Sequence, residues 1–483
     1  MNDVKLLIGG REVAARNGAT FERRNPVSGQ VVTRAAAGSV ADAKAAVDAA
    51  AAAFPAWAAQ GPGARRAKLN KAADLLEARA AEFATIVRDE TGSTAGWGHF
   101  NVHFATAMLR EAAAMTSQIG GEVVPSDVPG SLAMAYRQPA GVVFGIAPWN
   151  APIILGVRAV ATPLACGNTV VLKSSEVCPA THALIGSVVQ AAGLGDGVIN
   201  VISTDVKDAE AVSEAIISHP AVKRINFTGS TRVGRILAQL AAKYLKPILL
   251  ELGGKAPLLV LADADLDAAV DATVFGAYVN QGQICMSTER VIIERSVADA
   301  FAVKLAKRVA ALPVGNPLEG EFVLGSVVGP ATVQRVQRLV SEAEKQGAKV
   351  LVGGKADGTI MQGIVVDHVT PSMNLFREES FGPQVSITRV DSVDEAVRLA
   401  NDTEYGLSAA VFTRDLARGL DVARRIESGI CHINGPTVHD EAQMPFGGVK
   451  ASGYGRFGGK AGIEAFTDLR WITMQTTPRH YPF

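Results

Sequence analysis

The chain has 483 residues, of which 48% are hydrophobic and 19% charged, and its 47 acidic side chains balance its 47 lysines and arginines. This apolar content excludes an intrinsically disordered protein, and the length predicts two domains, because single hydrophobic cores stop growing below this size. The balanced charge gives no general attraction to nucleic acid or to an anionic membrane, so a small molecule is the expected partner.

Local sequence signals bear on compartment and chemistry. The stretch MNDVKLLIGGREV carries charges early and lacks the apolar core of a secretory signal, so we expect a cytoplasmic protein. Residues 141–157 are apolar, but two prolines and an asparagine interrupt them, which favours a buried strand and a helix start over a membrane span. The four cysteines lack paired spacing, which favours reduced thiols over disulfides. The sequence contains no CxxC or HExxH motif, so we expect no metal site.

The predicted elements begin with helices. Residues 39–89 show helical apolar spacing and predict successive helices that break at Pro55 and at residues 61–63. From Gly141 onward, short β-branched runs alternate with amphipathic stretches. The predicted strands are GVVFGI, NTVVLK, GVINVI, RINFTG and PILLEL, and the helices include THALIGSVVQAAGL and TRVGRILAQLAAKYL. This alternation predicts βαβ units and a parallel, doubly wound sheet.

A second α/β series follows Gly254. Its predicted helices cover residues 266–278, 296–310, 330–346 and 393–401, and its strands include AKVLVGG and SITRV. We therefore predict an α/β fold with two doubly wound domains, a Rossmann-like one in residues 1–119 and 140–251 and a second in residues 252–455. Residues 120–139 and 464–483 are extended segments outside both series. Such strands often pair with another subunit, so we expect a small β flap and a homo-oligomer, either dimer or tetramer.

A glycine-containing turn joins a strand to a helix in FTGSTRVG, residues 227–234. Gly229 permits close approach of a ligand, Ser230 can donate at the helix N-terminus, and Gly234 lets helix and sheet pack closely. These features suit a dinucleotide phosphate, and a plain strand-to-helix turn is the alternative. GYGRFG, residues 453–458, matches the dinucleotide fingerprint in letters, but it lacks a preceding strand and a βαβ setting, so we expect it not to bind phosphate.

Polar residues follow three predicted strands at the same sheet edge. Lys173 and Glu176 in VVLKSSE suit ribose hydroxyls, and a carboxylate there repels the extra phosphate of NADP. Asn150 in APWN can donate to a developing oxyanion, although an asparagine after a strand is more often a turn residue. Glu251 in ELGGK follows an apolar strand, where burial raises a carboxyl pKa and suits it to proton transfer; an ordinary paired acid is the alternative.

Cys285 lies in NQGQICMSTER, among glycine and small polar side chains, and is a candidate nucleophile. With Asn150 as an oxyanion donor and Glu251 as a base, it completes a constellation suited to covalent catalysis. The remaining cysteines lie beside or within predicted strands and are expected to be packing residues: Cys166, Cys178 and Cys431.

In their order and approximate spacing, APWN, VLKSSE, FTGSTRVG, LELGGK, QGQICMSTER, EESFGP and PFGGVKASGYGR resemble the NAD(P)-dependent aldehyde dehydrogenase superfamily over essentially the whole chain. The resemblance implies that Cys285 is the catalytic thiol, Glu251 the general base and Asn150 the oxyanion donor. It makes the first domain the NAD-binding domain and the second the catalytic domain. The implied cofactor is NAD in preference to NADP, at Trp149, Lys173, Glu176, Gly229, Ser230, Gly234, Leu252, Glu379 and Phe381.

Within the superfamily, WGHFNVHFATAMLREAA, INGPTVHDEAQMPFGG and the closing HYPF are most similar to bacterial salicylaldehyde, vanillin and benzaldehyde dehydrogenases. The resemblance therefore implies an aromatic aldehyde as substrate, with aliphatic aldehydes and semialdehydes as alternatives. Arg158, on an otherwise apolar helix, meets either a ring substituent or a structural acidic partner. The residues in line with the substrate tunnel are Trp97, Ala151, Leu155, Arg158, Val279, Met286 and Phe446.

The resemblance also implies a mechanism. The Cys285 thiolate adds to the aldehyde, hydride passes to the nicotinamide, and a water activated by Glu251 hydrolyses the resulting thioester to a carboxylate. Two alternatives from other classes stay open. One is a cysteine esterase or amidase with His219 or His432 as base, and the other is a non-catalytic protein that keeps the fold.

Overall fold

A computed structural model describes residues 1–483 and contains two large, mainly parallel sheets with helices on their faces. The N-terminal part supplies short strands and the first four helices. In chain order these elements are β1 (Asn2–Val4), β2 (Leu6–Ile8), β3 (Arg11–Val13), β4 (Thr20–Arg24), β5 (Val31–Ala36), α1 (Val40–Ala58), α2 (Pro62–Ala78), α3 (Ala80–Thr91), α4 (Ala95–Met115), β6 (Gly121–Val124) and β7 (Ser131–Pro139).

The predicted helix break at Pro55 is wrong, because α1 continues through this proline to Ala58. The proline lies in the last turn of the helix, where its missing N–H removes a single hydrogen bond. Trp57, in the same turn, is buried and donates its indole N–H to the carbonyl of Leu164 at 3.2 Å. This tertiary contact holds the turn in place. The second predicted break is confirmed, since Gly61 caps α2 and Pro62 is its first residue.

The predicted alternation of strands and helices after Gly141 is confirmed. The elements are β8 (Val142–Ile146), α5 (Pro152–Ala165), β9 (Thr169–Lys173), α6 (Pro179–Ala191), β10 (Ile199–Ile202), α7 (Ala209–Ser218), β11 (Val222–Thr228), α8 (Thr231–Lys243) and β12 (Ile248–Glu251). The runs of β-branched and leucine residues form strands that are buried on both faces, as parallel strands covered by helices require.

The second α/β series is longer and less regular. Its elements are β13 (Ala256–Val260), α9 (Leu266–Tyr278), β14 (Thr288–Glu294), α10 (Arg295–Ala310), α11 (Pro330–Lys345), β15 (Lys349–Val352), β16 (Ala356–Asp357), β17 (Ile360–Met361), β18 (Ile364–Asp367), α12 (Asn374–Arg377), β19 (Gln384–Val390), α13 (Val393–Asn401), β20 (Ser408–Phe412), α14 (Leu416–Arg425), β21 (Ile430–Ile433), β22 (Gly453–Tyr454), α15 (Gly459–Ala465) and β23 (Thr467–Gln475).

The two large sheets confirm the predicted α/β class. The first has eight strands in the order β22-β12-β11-β8-β9-β10-β2-β3, and its five central strands are parallel. β2 on one side of these five strands and β22 on the other pair antiparallel to them and come from distant parts of the chain, and β3 lies at the edge beyond β2. The second sheet has seven strands in the order β15-β18-β19-β14-β13-β20-β21, with only β15 antiparallel. The carboxyl ends of the parallel strands of the first sheet carry the loops of Asn150 and Glu251, whereas Cys285 precedes β14 of the second sheet.

The two extended segments that were expected outside both α/β series pair with each other. β23 pairs antiparallel with β7 over nine residues each, and β6 completes a three-stranded sheet. Large apolar side chains of this sheet remain exposed, including Val123, Leu469, Trp471 and Met474. None of the helices combines the length and apolar character that a crossing of the bilayer requires.

Candidate active site

Cys285 lies between a distorted turn and β14. Asn280 (φ 49°), Gln281 (φ 55°) and Gly282 (φ 68°) all adopt left-handed backbone conformations ahead of it. For the first two residues this conformation costs about 1–3 kcal/mol each, so neighbouring contacts must hold it. The amide of Asn280 donates to the Asn150 carbonyl at 2.8 Å and its oxygen accepts from Ser93 Oγ at 3.0 Å. The turn that carries the cysteine is therefore fixed by two other loops.

Asn150 lies directly after β8 and before α5, and its side chain faces the cysteine loop. Its Nδ2 donates to the backbone carbonyl of Gln283 at 3.0 Å, two residues before Cys285. Its own carbonyl accepts from the indole Nε1 of Trp97 at 3.0 Å as well as from Asn280. The structure thus brings Asn150 beside the Cys285 loop, and a second N–H of its amide remains for another acceptor.

Glu251 is the last residue of β12 and is fully enclosed, with neither carboxylate oxygen in a hydrogen bond. Burial raises the pKa of its carboxyl to about 7, opposed by the Arg158 guanidinium and the Cys285 thiol. The influence is mutual, since burial first and the Glu251 carboxylate second raise the pKa of the Cys285 thiol well above its ordinary value. These two predicted residues are therefore electrostatic neighbours, and a carboxylate without a partner can accept a proton from water.

Five of the seven predicted substrate residues belong to a hydrophobic core cluster of 47 buried residues, and Cys285 packs against this cluster. Trp97 stacks on Phe100, with ring centroids 5.4 Å apart, and so presents an aromatic wall. Arg158 packs its guanidinium over the ring of Phe446 at 4.2 Å from the ring centroid. The members of the cluster predicted from sequence are Trp97, Ala151, Leu155, Met286 and Phe446, with Val279 partly buried against them.

Arg158 has an acidic partner that the sequence did not indicate. Its Nη2 forms a short ion pair with the carboxylate of Asp440, and the two side chains are 4% and 12% exposed. Burial raises the pKa of the Asp440 carboxyl, and the Arg158 guanidinium opposes that rise. The Nε of Arg158 is buried without an acceptor. Of the two alternatives left open for Arg158, the acidic partner is present, and one donor remains free.

The end of β9 offers polar groups that lack partners. Lys173 is buried, its ammonium makes one long hydrogen bond to the Ser174 carbonyl at 3.4 Å, and the Ser174 hydroxyl has no partner. Burial lowers the pKa of the Lys173 ammonium, and the nearby Glu176 carboxylate opposes this. Two buried donors beside a half-buried acid are well suited to the hydroxyls of a ribose.

The predicted phosphate turn begins α8. Ser230 caps the helix by accepting from the Val233 N–H at 3.4 Å. A Cβ at Gly234 would lie 2.5 Å from the side chain of Leu252, so only glycine allows this approach of helix and sheet. A Cβ at Gly229 would lie 2.4 Å from the Phe227 ring. Both glycines therefore have a packing requirement, and the N-terminus of α8 stays available to an anion.

The other glycine-rich sequence plays a different structural part. Gly453 pairs antiparallel with Glu251 in β22, and the following segment leads to the seven-residue helix α15. The backbone N–H of Leu252 donates to the carbonyl of Ser452 at 3.0 Å. Residues 453–458 thus extend the edge of the first sheet and brace the strand that ends at Glu251, without a parallel βαβ setting.

Two further predicted cofactor residues lie across from β12. Glu379 accepts from the Gly254 N–H at 2.9 Å, and burial raises the pKa of its carboxyl to about 7. Phe381, in a left-handed conformation (φ 47°), meets Trp149 edge to face with ring centroids 5.7 Å apart. Trp149 and Phe381 are 232 positions apart in sequence, and they form one aromatic contact beside the loop of Asn150.

A buried network that sequence reasoning missed supports this region. Glu289, in the motif that carries the cysteine, accepts from the backbone N–H groups of Ser380 at 2.9 Å and Phe381 at 3.2 Å, and it pairs with Lys255. It joins the LGGK, QGQICMSTER and EESFGP segments. Glu289 and Lys255 each lie inside a sequence motif, but no local pattern indicates that their side chains form an ion pair.

The remaining thiols and histidines lie in packing environments. Burial raises the pKa of Cys166 to about 12 and of Cys431 to about 11. Cys178 is also buried. His219 pairs with Asp48 at 3.2 Å, and His432 packs against His439 with ring centroids 5.0 Å apart. All four cysteines are free thiols, and no cluster of potential metal ligands is present.

A sequence profile of the aldehyde dehydrogenase family matches residues 13–472. The chain belongs to the aldehyde dehydrogenase family. It is 63% identical over 482 residues to a vanillin dehydrogenase of Pseudomonas sp. strain HR199, with all of both chains covered. A salicylaldehyde dehydrogenase of Pseudomonas putida is 48% identical over 480 residues, covering 99% of each chain.

Solved structures of the family have the same fold. The crystal structure of a salicylaldehyde dehydrogenase from Pseudomonas putida G7 complexed with salicylaldehyde superposes with a TM-score of 0.98, at 46% identity and with 100% of each chain covered. A succinate-semialdehyde dehydrogenase from Burkholderia pseudomallei has a TM-score of 0.95 at 34% identity, covering 98% of each chain. As a member of this family the protein is an aldehyde-oxidising oxidoreductase, and its cofactor is NAD or NADP.

Proposed function

We propose that this protein oxidises an aromatic aldehyde of the vanillin, salicylaldehyde or benzaldehyde type to the carboxylate, with NAD as cofactor. The observation that carries the proposal is that the Asn150 amide binds the loop that leads to Cys285 and that the Glu251 carboxylate lies next to the Cys285 thiol. The relatives at 63% and 48% identity, a vanillin dehydrogenase and a salicylaldehyde dehydrogenase, support the aromatic substrate.

Cys285 is the proposed nucleophile and Asn150 the proposed oxyanion donor. As the Cys285 sulfur attacks the carbonyl carbon, the thiol proton passes to the neighbouring Glu251 carboxylate and the carbonyl oxygen of the resulting thiohemiacetal gains negative charge. The N–H of Asn150 that does not bind Gln283 is available to this oxygen, together with the backbone N–H of Cys285. Such a donor contributes about 3 kcal/mol to the stability of the transition state.

Glu251 is the proposed base for hydrolysis of the thioester on Cys285. Its two oxygens accept no hydrogen bond from the protein, so a water can occupy that position. A carboxyl with a pKa of about 7 is deprotonated in a large fraction of molecules near neutral pH and still basic enough to take a proton from water. The product of this step is a free carboxylate and a regenerated thiol.

The residues of the first sheet fit a nicotinamide dinucleotide, which when bound accepts the hydride of the aldehyde carbon. Lys173 and Ser174 supply buried donors without strong partners, suited to ribose hydroxyls. Ser230 and the start of α8 supply backbone donors for a phosphate. The carboxylate of Glu176 near Lys173 disfavours a second phosphate on the ribose, and so supports NAD over NADP.

A steady-state comparison tests the proposal. The protein is mixed with NAD and with benzaldehyde, vanillin, salicylaldehyde or a long aliphatic aldehyde, and NADH absorbance is followed. We expect kcat/KM for the best aromatic aldehyde to exceed that for the aliphatic one by about tenfold or more. Cys285→Ala should abolish NADH formation, whereas Cys431→Ala, which removes another partly exposed thiol, should retain it. A preference for the aliphatic aldehyde would contradict the aromatic assignment.

The alternative hydrolase activity has a separate signature. An esterase or amidase releases product from an activated ester in the absence of NAD and needs a histidine base. The charged groups that act on the Cys285 thiol are Glu251, Glu379 and Arg158, and neither His219 nor His432 is among them, which does not favour this role. If His432→Ala stopped a dinucleotide-independent hydrolysis while aldehyde oxidation was absent, the dehydrogenase proposal would be replaced.

We also propose a homo-oligomer built on the three-stranded sheet of β6, β7 and β23. Trp471 is 78% exposed and Leu469 is 60% exposed on β23, and Val123 is exposed on β6. Aromatic and aliphatic side chains in this state on a flat antiparallel sheet are typical of a surface that another subunit covers. The cytoplasmic location stays a prediction from sequence.

A further inference from the structure

The ion pair between Arg158 and Asp440 borders the proposed substrate site. Ala151 is the N-cap of α5, and Leu155 and Arg158 follow it four and seven residues later on the same side of the helix. Ala151, Leu155 and Phe446 belong to the hydrophobic core against which Cys285 packs, and the guanidinium of Arg158 lies over the Phe446 ring. The charge of Arg158 also acts on Glu251 and Cys285. The pair is therefore close to the place where an aromatic ring would bind.

Space beside the pair is open to the outside. Arg158, Asp440 and Phe446 line a cleft together with Thr162, Glu111 and Glu441. Its charged lining consists of one guanidinium and three carboxylates, so the cleft has a net negative charge when these acids are ionised. In a cleft with apolar walls such a field is weakly screened, and it opposes the entry of an anion.

Arg158 would act very differently without Asp440. A buried guanidinium is always charged and forms strong paired hydrogen bonds with carboxylates. Here one carboxylate of the protein already occupies Nη2, and the Nε donor has no acceptor. What remains for a ligand is a hydrogen-bond donor whose positive charge is largely neutralised.

We propose that Asp440 is a specificity-determining residue that neutralises Arg158 and thereby makes the site select uncharged aromatic aldehydes over ring-carboxylated ones. This inference rests on the proposed aldehyde oxidation at Cys285 and adds a rule for the charge of its substrate. A neutral ring substituent such as a hydroxyl or a methoxy group carries no charge for the acids of the cleft to oppose. A ring carboxylate meets a guanidinium that is already paired and a cleft lined by further acids.

The test compares two substrates of similar shape and different charge, 4-carboxybenzaldehyde and its methyl ester, in the presence of NAD. The parent protein should oxidise the ester with a kcat/KM about tenfold or more above that of the carboxylate. Asp440→Asn keeps the size of the side chain and removes its charge, so it should narrow this ratio by about tenfold or reverse it. Equal use of both substrates by the parent protein would overturn the proposal.

Glu441→Gln is the matched control, because it removes a carboxylate from the same cleft without touching the Arg158 pair. It should change the ester-to-carboxylate ratio less than Asp440→Asn does. An equal change would mean that the combined negative charge of the cleft selects the substrate, and it would overturn the specific role of Asp440. Arg158→Gln provides a second variant and should increase the preference for the ester, because the charge of Asp440 is left unpaired. A preference unchanged in both Asp440→Asn and Arg158→Gln would also overturn the proposal.

The proposed function and this inference fail in different ways. If the parent protein forms no NADH from the ester, from benzaldehyde or from any other aldehyde, the oxidation at Cys285 is wrong. If the parent protein oxidises benzaldehyde and the ester, but also uses the carboxylate equally well or keeps the same ester-to-carboxylate ratio in the Asp440→Asn and Arg158→Gln variants, only the role of Asp440 is wrong.

Discussion

The indole Nε1 of Trp97 donates a hydrogen bond to the backbone carbonyl of Asn150 at 3.0 Å and so ties α4 to the loop that follows β8. The same carbonyl accepts from Asn280 at 2.8 Å, in the turn that leads to Cys285. Three distant segments therefore meet at one backbone atom. The backbone of Asn150 is held by these two hydrogen bonds, so a change of its side chain alone tests its chemical role.

Asn150→Ala should lower kcat/KM for an aromatic aldehyde by about a hundredfold or more, because the oxyanion loses a donor. The structural loss is one hydrogen bond to Gln283, about 1 kcal/mol of unfolding free energy. Asn226→Ala is the control, since Asn226 is also buried in the first sheet and donates to the Ala159 carbonyl at 3.2 Å. In thermal melts the Asn150→Ala and Asn226→Ala variants should have similar stabilities, whereas in steady-state kinetics Asn150→Ala should be much slower. Equal kcat/KM values for the two variants would show that Asn150 takes no part in the reaction.

Glu251→Gln should form about one equivalent of NADH per active site in a burst and then stall, because the thioester on Cys285 is not hydrolysed. In the parent protein, the rate of the hydrolytic step should rise as pH increases through about 7, where the Glu251 carboxyl loses its proton. Stopped-flow absorbance and a pH profile measure the two effects. Turnover of Glu251→Gln at the parent rate, with the same pH profile, would show that another group is the base.

The same substitution should stabilise the fold at alkaline pH. The Glu251 carboxyl has a pKa of about 7 in the folded protein against an ordinary value of 4.5, so the folded state binds the proton more tightly than the unfolded state. Its contribution to stability is present at low pH and is lost as pH rises from about 4.5 to 7. The advantage of Glu251→Gln should therefore grow across this window, to on the order of 3 kcal/mol. Thermal melts at several pH values measure it, and a constant difference would contradict the raised pKa.

Glu176→Gln should weaken the preference for NAD over NADP, because the carboxylate that repels the ribose phosphate is replaced by a neutral amide. We expect the ratio of kcat/KM values for the two cofactors to fall by about tenfold. Glu210→Gln, an exposed acid on α7, removes the same charge elsewhere and should leave the ratio as it is. A parent protein that prefers NADP would contradict the assignment of Glu176.

Trp471→Glu should shift the protein toward a smaller species in light scattering, because the substitution places a charge on the exposed sheet of β6, β7 and β23. Leu416→Glu introduces the same charge at a side chain that is 65% exposed on α14 and serves as control. If the parent protein is a monomer at micromolar concentration, or if both variants dissociate equally, this sheet is not the interface.

Local sequence patterns determined the fold class of this protein and indicated the three proposed catalytic residues and five of the proposed cofactor residues, whereas the family resemblance supplied the rest. Runs such as GVVFGI and RINFTG can be buried on both faces only as strands of a covered sheet, and the intervening amphipathic stretches can only be helices, so the doubly wound class follows from periodicity. Glycine and polar residues at the ends of those runs marked Asn150, Glu251 and the cysteine loop, because parallel strands end at a common edge.

Only the tertiary structure decided which distant groups meet. Arg158 and Asp440 are 282 positions apart, and their pairing depends on how α5 packs against the segment after β21. The left-handed conformations at Asn280 and Gln281 are unfavourable locally and persist because Asn150 and Ser93 bind the turn. The last turn of α1 likewise stays helical despite Pro55, because the Trp57 indole is hydrogen-bonded to the distant Leu164 carbonyl. The local sequence indicates which secondary structure a segment prefers and which of its residues are buried. Contacts between residues far apart in the chain depend on the packing of the whole molecule, and the free energy of that packing overrides local preferences.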